Sequence, residues 1–327
     1  MKQTSAMVLS AGLGTRMRPL SYECPKPLLP LCGRTLLTWN LQALKKAEIT
    51  HVGINTFHLA QQVPQAVQHR TEQFYWSHED TLQGTGGGVR GLHQCMQHQA
   101  YVIINGDAFF DFPIRPLLHH HEQQGAIATL AVRRVPADDP FARIGLDAMG
   151  RVVRIAEVCG PRAHEEVMAV AFTGVQMIQA EVCQALPDGF CDIFRSAYKS
   201  LMLDGVEIHA HLVADDSLWV DVGTPQRYLD AHQVLYQKKK SPLWQDMPAY
   251  HRHGDGICFD QAQVSSSIHL QENTWVGSGA KLSGQVNLSH SIIWPDVYYD
   301  FNDSIKKQEK SMQNILISAK GLNTIGQ

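Results

Sequence analysis

The 327 residues contain no apolar run of about 18 positions, so no membrane-spanning helix is predicted. The chain also lacks an excess of positive charge. Its 28 lysines and arginines stand against 31 aspartates and glutamates, a net charge of -3. That balance excludes the broad basic face of a general nucleic-acid binder. Any polyanion must therefore be held by local cations or by a metal rather than by a global field. Cysteine shows no pairing pattern: the seven thiols at 24, 32, 95, 159, 183, 191 and 258 contain no C-x-x-C spacing, and their number is odd. No secretory leader is visible, and the polar start Met1-Lys-Gln-Thr-Ser leads directly into a strand pattern. The expectation is reduced thiols in a cytoplasmic protein. The remaining composition, 44% apolar and 18% charged, is that of a globular chain long enough for one large domain and a smaller one.

Two phosphate-binding signatures are missing as well. No lysine follows a glycine in the G-x-x-x-x-G-K-[ST] arrangement of the ATPase loop, and Met17 stands where a dinucleotide fingerprint needs its third glycine. What is present is a different cradle. The apolar run Ala6–Leu9 enters a loop with Gly12, Gly14, Thr15, Arg16 and Arg18, followed by Pro25-Lys26-Pro27. Glycines let backbone N–H groups approach an anion, and a lysine between prolines has a restricted backbone and a fixed direction. A plain strand-to-helix turn with exposed arginines would account for the glycines alone, but not for the added Pro-Lys-Pro.

Short apolar runs alternate with helical patterns up to about residue 237. Strands are expected over 6–9, 51–55, 73–76, 101–104, 126–133, 152–157, 169–177, 207–211 and 219–220. Helices are expected over 35–47, 58–70, 86–97, 113–124, 192–203 and 225–237. This alternation predicts an α/β three-layer, Rossmann-like domain with a mostly parallel central sheet, whose ligands sit at the carboxyl ends of the strands. Asp107, in Asn105-Gly106-Asp107, follows a buried strand pattern on that edge. It suits Mg²⁺, which takes a few carboxylates together with phosphates and water. A turn aspartate capping the next segment is the plainer alternative. Asp221, in Trp219-Val-Asp-Val-Gly-Thr-Pro, also ends a short strand, with Thr224 as N-cap and Pro225 at the first helical position. Leu82-Gln83-Gly84-Thr85-Gly86-Gly87-Gly88 forms a second glycine loop. His119-His120-His121 lies on a helix whose consecutive residues point in different directions, so a solvated face is expected there rather than a metal site. Asp107 and Asp111 are not spaced as the D-x-D of many glycosyltransferases, which argues against that class.

The run from Gly12 to Ser21 together with Pro25-Lys26-Pro27-Leu28-Leu29-Pro30 resembles the signature of the sugar-1-phosphate nucleotidylyltransferases. These enzymes join a nucleoside triphosphate to a sugar 1-phosphate with release of pyrophosphate. The resemblance implies nucleotide binding by Leu9, Ala11, Gly12, Gly14, Thr15 and Arg16 in the first loop. It implies the same for Gln83, Gly86, Gly87 and Gly88 in the second, where the glycines let base and ribose lie close to the chain, and for Asp107. It assigns Mg²⁺ to Asp107 and Asp221, the leaving phosphates to Arg16, and the attacking phosphate to Lys26. On the sugar side Gly145, Glu157 and Gly174 match, but Val158 and Cys159 replace the lysine and proline that usually follow the glutamate. One cation toward the sugar phosphate is therefore missing or comes from elsewhere.

Along the chain, residues 1–237 read as the catalytic domain and 238–262 as a linker. Residues 263–300 read as a truncated left-handed β-helix resembling the hexapeptide repeat found in this family, and 301–327 as a tail in which 305–317 could be helical. Two or three coils fit, fewer than stacked repeats usually need to stand alone. The repeat is therefore expected to dock on the catalytic domain or on a second subunit, as in a homo-oligomer. The expected partners are an NTP and a sugar 1-phosphate, with no nucleic acid and no membrane. Within the family the resemblance is nearest to the mannose-1-phosphate guanylyltransferases. A uridylyltransferase acting on an amino-sugar 1-phosphate is the next reading. A non-catalytic regulatory paralogue that binds nucleotide sugars is the alternative from another class.

Overall fold

The computed structural model describes residues 4–136, 138–141, 143–304 and 311–325. The chain forms two compact units, one of Met1–Leu13 with Trp39–Trp219 and the other of Gly14–Thr38 with Val220–Gln327.

The first unit is built on a ten-stranded sheet. Strands β1 (Thr4–Leu9), β2 (His51–Thr56), β3 (Gln73–His78) and β4 (Ala100–Asn105) stand in the order β3-β2-β1-β4, all parallel. The interiors of β1, β2 and β4 are apolar and buried, as strands covered on both faces must be, whereas the edge strand β3 is only partly covered. After β5 (Ala108–Phe110) come β6 (Ala128–Arg134), β7 (Ile144–Leu146), β8 (Val152–Ile155), β9 (Val158–Cys159), β10 (Met168–Gln179) and β11 (His209–Leu212). The long β10 joins β4 antiparallel and carries β6 on its opposite edge, while β7 pairs with its start, so that Val170 lies between β6 and β7. The parallel centre, with helices among the strands, is the α/β architecture expected. The helix predicted over 58–70 is cut to Gln62–Val67, because Leu59 takes a left-handed φ of 50° and the Gln62 N–H closes a turn onto its carbonyl. The helix predicted over 192–203 begins as a π turn, Phe194–Tyr198, with the Asp192 carboxylate accepting from the Phe194 and Arg195 N–H groups at 3.1 and 3.0 Å.

The histidine triplet departs from the solvated face expected of it. His119 is exposed, but the His120 ring lies 5.4 Å from that of His211. His121 is buried between the Thr129 hydroxyl and the Gln179 amide, each at 2.8 Å. Among the described residues no three His, Cys, Asp or Glu side chains are arranged to hold a metal ion.

In the second unit the stretch expected as a linker supplies structure. Tyr250–His253 and Gly256–Phe259 pair antiparallel, and the second of these pairs in parallel with Trp275–Val276. From there the chain winds in coils, each placing one short strand on each of three parallel sheets. The first coil uses Gly256–Phe259, Gln263–Val264 and Ile268–Leu270; the second uses Trp275–Val276, Lys281–Ser283 and Val286–Ser289. The expected tail completes a third coil with Ser311–Gln313, and Ile315–Ser318 opens a fourth before Gly321–Thr324 turns back antiparallel. The helix considered over 305–317 is replaced by these strands from 311 onward; 305–310 lie outside the described residues. The β-helix-like segment is thus longer than its repeat signal suggested, because Ile292, Ile293, Leu316 and Ile317 keep its interior apolar after the glycines stop. No helix among the described residues is long and apolar enough to cross a membrane.

Two buried histidines make stability depend on pH. Burial, and for His121 the neighbouring His209 and His120, pushes the His121 and His232 imidazoles down to about 4 from the usual 6.5. Below pH 6.5 the unfolded chain therefore takes up protons that the folded chain refuses. Stability is full above that pH and falls progressively toward pH 4, by on the order of 3 kcal/mol per histidine. Melting temperature measured from pH 7.5 to 5 should drop, and a flat profile would contradict the neutral, buried state of both rings.

Candidate active site

In the first unit the candidate residues gather at the carboxyl edge of the parallel strands. Leu9 is in register with Asn55 on one neighbouring strand and Asn105 on the other. The Gly106 N–H donates to the Leu9 carbonyl at 2.9 Å, and a Cβ on Gly106 would lie 2.6 Å from that oxygen. Only glycine lets the turn bearing Asp107 close onto the start of the first loop. Beside it, β10 bulges at Gly174, whose φ is 80° and whose Cβ would meet Asn105 at 3.2 Å.

The second loop is tied to the first by two buried side chains that the sequence reading did not select. The Ser10 N–H donates to Asn55 Oδ1 at 2.7 Å, Asn55 Nδ2 donates to Glu79 Oε1 at 2.7 Å, and the Gln83 N–H donates to Glu79 Oε2 at 2.9 Å. Each looks in sequence like an ordinary polar strand end; only pairing β2 with β1 and β3 brings them together. Gly86, Gly87 and Gly88 lie in the first turns of the helix Gly84–Met96 and are buried. Their missing Cβ atoms make room for Cys191 Sγ at 2.7 Å, Gln83 Cβ at 2.6 Å and Asn55 Nδ2 at 2.5 Å. These glycines serve packing within the protein; Gln83 stands just before the helix and Thr85 in its first turn. Gln83 Nε2 donates to the Thr81 carbonyl and hydroxyl, both at 3.0 Å, and the Thr85 hydroxyl donates to Asp192 at 3.0 Å.

On the expected sugar side, a Cβ on Gly145 would collide with the Glu166 carboxylate, which Arg154 holds through two bonds of 2.7 Å. Glu157 is exposed, and its carboxylate accepts from Arg195 at 2.9 Å. Its own backbone N–H and the Arg195 guanidinium hold that carboxyl below the usual range. Glu157, Val158, Cys159, Arg195, Lys199 and Leu203 line one cavity of about 500 Å³.

The second unit carries the cations. Gly14 adopts φ 60° and leads into the turn Thr15–Met17; its absent Cβ would stand 3.1 Å from Ser21 Cβ and 3.7 Å from Lys26 Cβ. The glycine thus lets the loop close over Lys26. Met17 is fully buried, so the position that breaks the dinucleotide fingerprint anchors the loop while Thr15 and Arg16 remain exposed. Lys26 is half-buried and opens a turn over Lys26–Leu28 between buried Pro25 and Pro27. Arg18 lies over the Tyr22 ring, 5.1 Å from its centre. Asp221 precedes the helix Pro225–Gln237, where the Thr224 hydroxyl accepts from the Arg227 N–H at 3.3 Å as the expected cap. The Cβ position missing from Gly223 is 2.8 Å from Asp221 Oδ1 and 3.5 Å from Arg16 Nη2, so guanidinium and carboxylate flank one small cradle.

Comparison with known proteins points the same way. A family model described as nucleotidyl transferase matches residues 5–238. A mannose-1-phosphate guanylyltransferase from Mycobacterium tuberculosis is 28% identical over 301 residues, covering 90% of this chain and 81% of that protein. A UTP--glucose-1-phosphate uridylyltransferase from Synechocystis is 26% identical over 302 residues, covering 85% of this chain and 76% of the relative. A Bacillus anthracis crystal structure, provisionally assigned as a glucose-1-phosphate thymidylyltransferase and solved with a sucrose, shares the fold. Its TM-score is 0.60 at 21% identity, over 71% of this chain and 94% of that one.

Proposed function

Because the chain belongs to the nucleotidyl transferase family and its relatives are sugar-1-phosphate nucleotidyltransferases, we propose that it forms a nucleoside-diphosphate mannose from GTP and mannose 1-phosphate. Membership makes it an enzyme of that transferase class. The choice of base and sugar is supported by the guanylyltransferase relative, which is 28% identical over 90% of the chain, against 26% over 85% for the uridylyltransferase.

The reaction is an in-line displacement. An oxygen of the sugar phosphate attacks the α-phosphorus of the NTP, the bond to the β-phosphate oxygen breaks, and pyrophosphate leaves. No covalent enzyme intermediate is needed, so positioning and charge neutralisation supply the rate. Backbone N–H groups of the loop from Ala11 to Thr15 bind the triphosphate. Arg16 holds the leaving phosphates, and Lys26 offsets charge between the attacking and α-phosphates. Gln83 orients the base. Glu157 accepts from sugar hydroxyls, and Arg195, already in contact with it, supplies the cation that Val158 lacks.

Each of the two carboxylates that the resemblance assigns to Mg²⁺ has the chemistry of a hard-cation ligand. Asp107 and Asp221 are two carboxylates at strand ends, and the bare Gly223 leaves space at Asp221 that a Cβ would fill. Mg²⁺ held by these two residues would neutralise phosphate charge.

The test is pyrophosphate release with Mg²⁺ across GTP, UTP, CTP, dTTP and ATP, each with mannose, glucose and hexosamine 1-phosphates. Turnover confined to GTP with mannose 1-phosphate is expected. Preference for UTP with a hexosamine or glucose 1-phosphate would replace the substrate assignment. Binding of a nucleotide sugar without turnover of any pair would favour a regulatory role.

A further inference from the structure

The segment Gly14–Thr38, which carries Arg16 and Lys26, belongs to the same compact unit as the carboxyl-terminal third of the chain. The contacts that hold it are specific, and those of His232 and Trp294 are buried. From the helix Pro225–Gln237, the Tyr228 hydroxyl donates to the Pro30 carbonyl and accepts from Trp294 Nε1 at 3.1 Å. One turn later His232 Nδ1 meets the Tyr228 carbonyl at 2.9 Å and must carry the proton. Its Nε2 is thereby left as an acceptor, and the Cys32 N–H donates to it at 3.2 Å. Tyr228, His232 and Trp294 are all nine-tenths or more buried. Gly33, with φ 82°, passes under the Phe259 ring so closely that a Cβ would collide with it. Arg34 Nε donates to the Asp246 carbonyl at 2.7 Å, and the Ser318 hydroxyl donates to Glu23 at 2.6 Å. The segment is thus held on both sides of Lys26 by residues more than 190 positions away in sequence.

We infer that Tyr228, His232 and Trp294 are positioning residues, through which the helix beginning after Asp221 and the β-helix-like segment fix the backbone that presents Lys26. The inference rests on the role of Lys26 proposed above. The physical reason is reach. The Leu29 N–H bonds to the Lys26 carbonyl at 3.1 Å, so Pro30 and Cys32 follow the Lys26 turn directly. A displacement of Pro30 and Cys32 is transmitted to that turn. The segment's own pairing is limited to a two-residue hairpin, Pro30–Leu31 with Arg34–Thr35, and Pro27 and Pro30 contribute no N–H to it. That short hairpin is anchored by acceptors and donors brought from outside the segment, at Pro30, Cys32 and Arg34. A misplacement of about 1 Å at a charge that acts in the transition state can cost up to a hundredfold in rate.

The experiment compares Tyr228→Phe, Trp294→Phe, His232→Leu and His232→Gln in the full-length protein, with kcat, both KM values and melting temperature. Tyr228→Phe and His232→Leu are expected to lower kcat by about tenfold to a hundredfold, with each KM within about twofold of the parent. His232→Gln should recover most of that loss, because its amide oxygen can again accept from the Cys32 N–H. Tyr228→Phe is also introduced into Lys26→Ala, where it should cost nothing further, since the charge it positions is gone. A lower melting temperature with unchanged kcat would overturn the inference, as would equal losses in the two backgrounds. If Lys26→Ala is crippled while Tyr228→Phe and His232→Leu turn over normally, the positioning role alone fails. If Lys26→Ala is itself normal, the proposed site fails and this inference with it. Should His232→Leu fail to fold, Tyr228→Phe and Trp294→Phe carry the same comparison, each expected to lower kcat with both KM values kept.

Discussion

Lys26→Ala is expected to fold as the parent does and to lose at least a hundredfold in turnover. The fold should survive because the turn at 26–28 is held by buried Pro25, Pro27, Leu28 and Leu29, while the Lys26 side chain is only half-buried. Its backbone bond, from the Leu29 N–H to the Lys26 carbonyl, does not depend on the side chain. The rate should fall because a preorganised charge aimed at the phosphoryl centre is commonly worth about 10²–10³ in rate. Lys26→Arg should recover only part of the activity, since a planar guanidinium cannot replace a compact ammonium at a crowded point charge. The check is pyrophosphate release at saturating substrates beside a melting curve. Near-parental turnover in the alanine variant would remove Lys26 from the reaction.

The second large effect concerns the two carboxylates. Asp107→Ala and Asp221→Ala should each abolish most turnover, by at least about a hundredfold, and each should weaken the dependence of the remaining activity on Mg²⁺. Asp107 follows a fully buried strand whose alignment rests on backbone pairing and on Gly106, so its removal should leave the sheet intact. Asp221 shares the Gly223 cradle with Arg16, so its loss also removes the carboxylate flanking that guanidinium. Asp221→Asn keeps the shape and drops the charge, which separates the two contributions. A Mg²⁺ titration of variants and parent gives the answer. Full activity in Asp107→Ala with an unchanged Mg²⁺ response would refute its assignment as a ligand.

Much of the fold was legible because the interiors of β1, β2 and β4 are apolar and the helix Pro225–Gln237 carries a clear start signal. Ala6–Leu9, His51–Asn55 and Tyr101–Ile104 read directly as buried strands, and Thr224-Pro225 marked the start of a helix that the structure keeps to Gln237. The glycine loop was legible for the same kind of reason: Gly14 is needed where φ is positive, and Met17 is needed where the loop turns inward. The triple glycine was legible as a constraint but not as a cause. What crowds it is Cys191, Gln83 and Asn55, and two of these come from far along the chain. The His triplet misled for a related reason. Helical spacing alone shows that three neighbours diverge, but it does not show that β11 and β6 supply His211 and Thr129 on the buried side.

By itself the sequence determined a polyanion cradle of glycines, arginine and a proline-bound lysine, which is local, and through the family that this run resembles it gave the reaction class of this protein. It also determined the parallel α/β core, because hydrophobic period and end signals act over a few residues. Only the tertiary structure decided that Asn55 and Glu79 join the two loops, that Arg195 stands beside Glu157 where Val158 has no charge, and that residues 238–262 and 311–325 extend the β-helix-like segment. It alone decided that Gly14–Thr38 is held by Tyr228, His232 and Trp294. Each of these is a contact between residues distant in sequence, fixed by strand register and burial, and no local pattern encodes which of many equivalent polar side chains will meet.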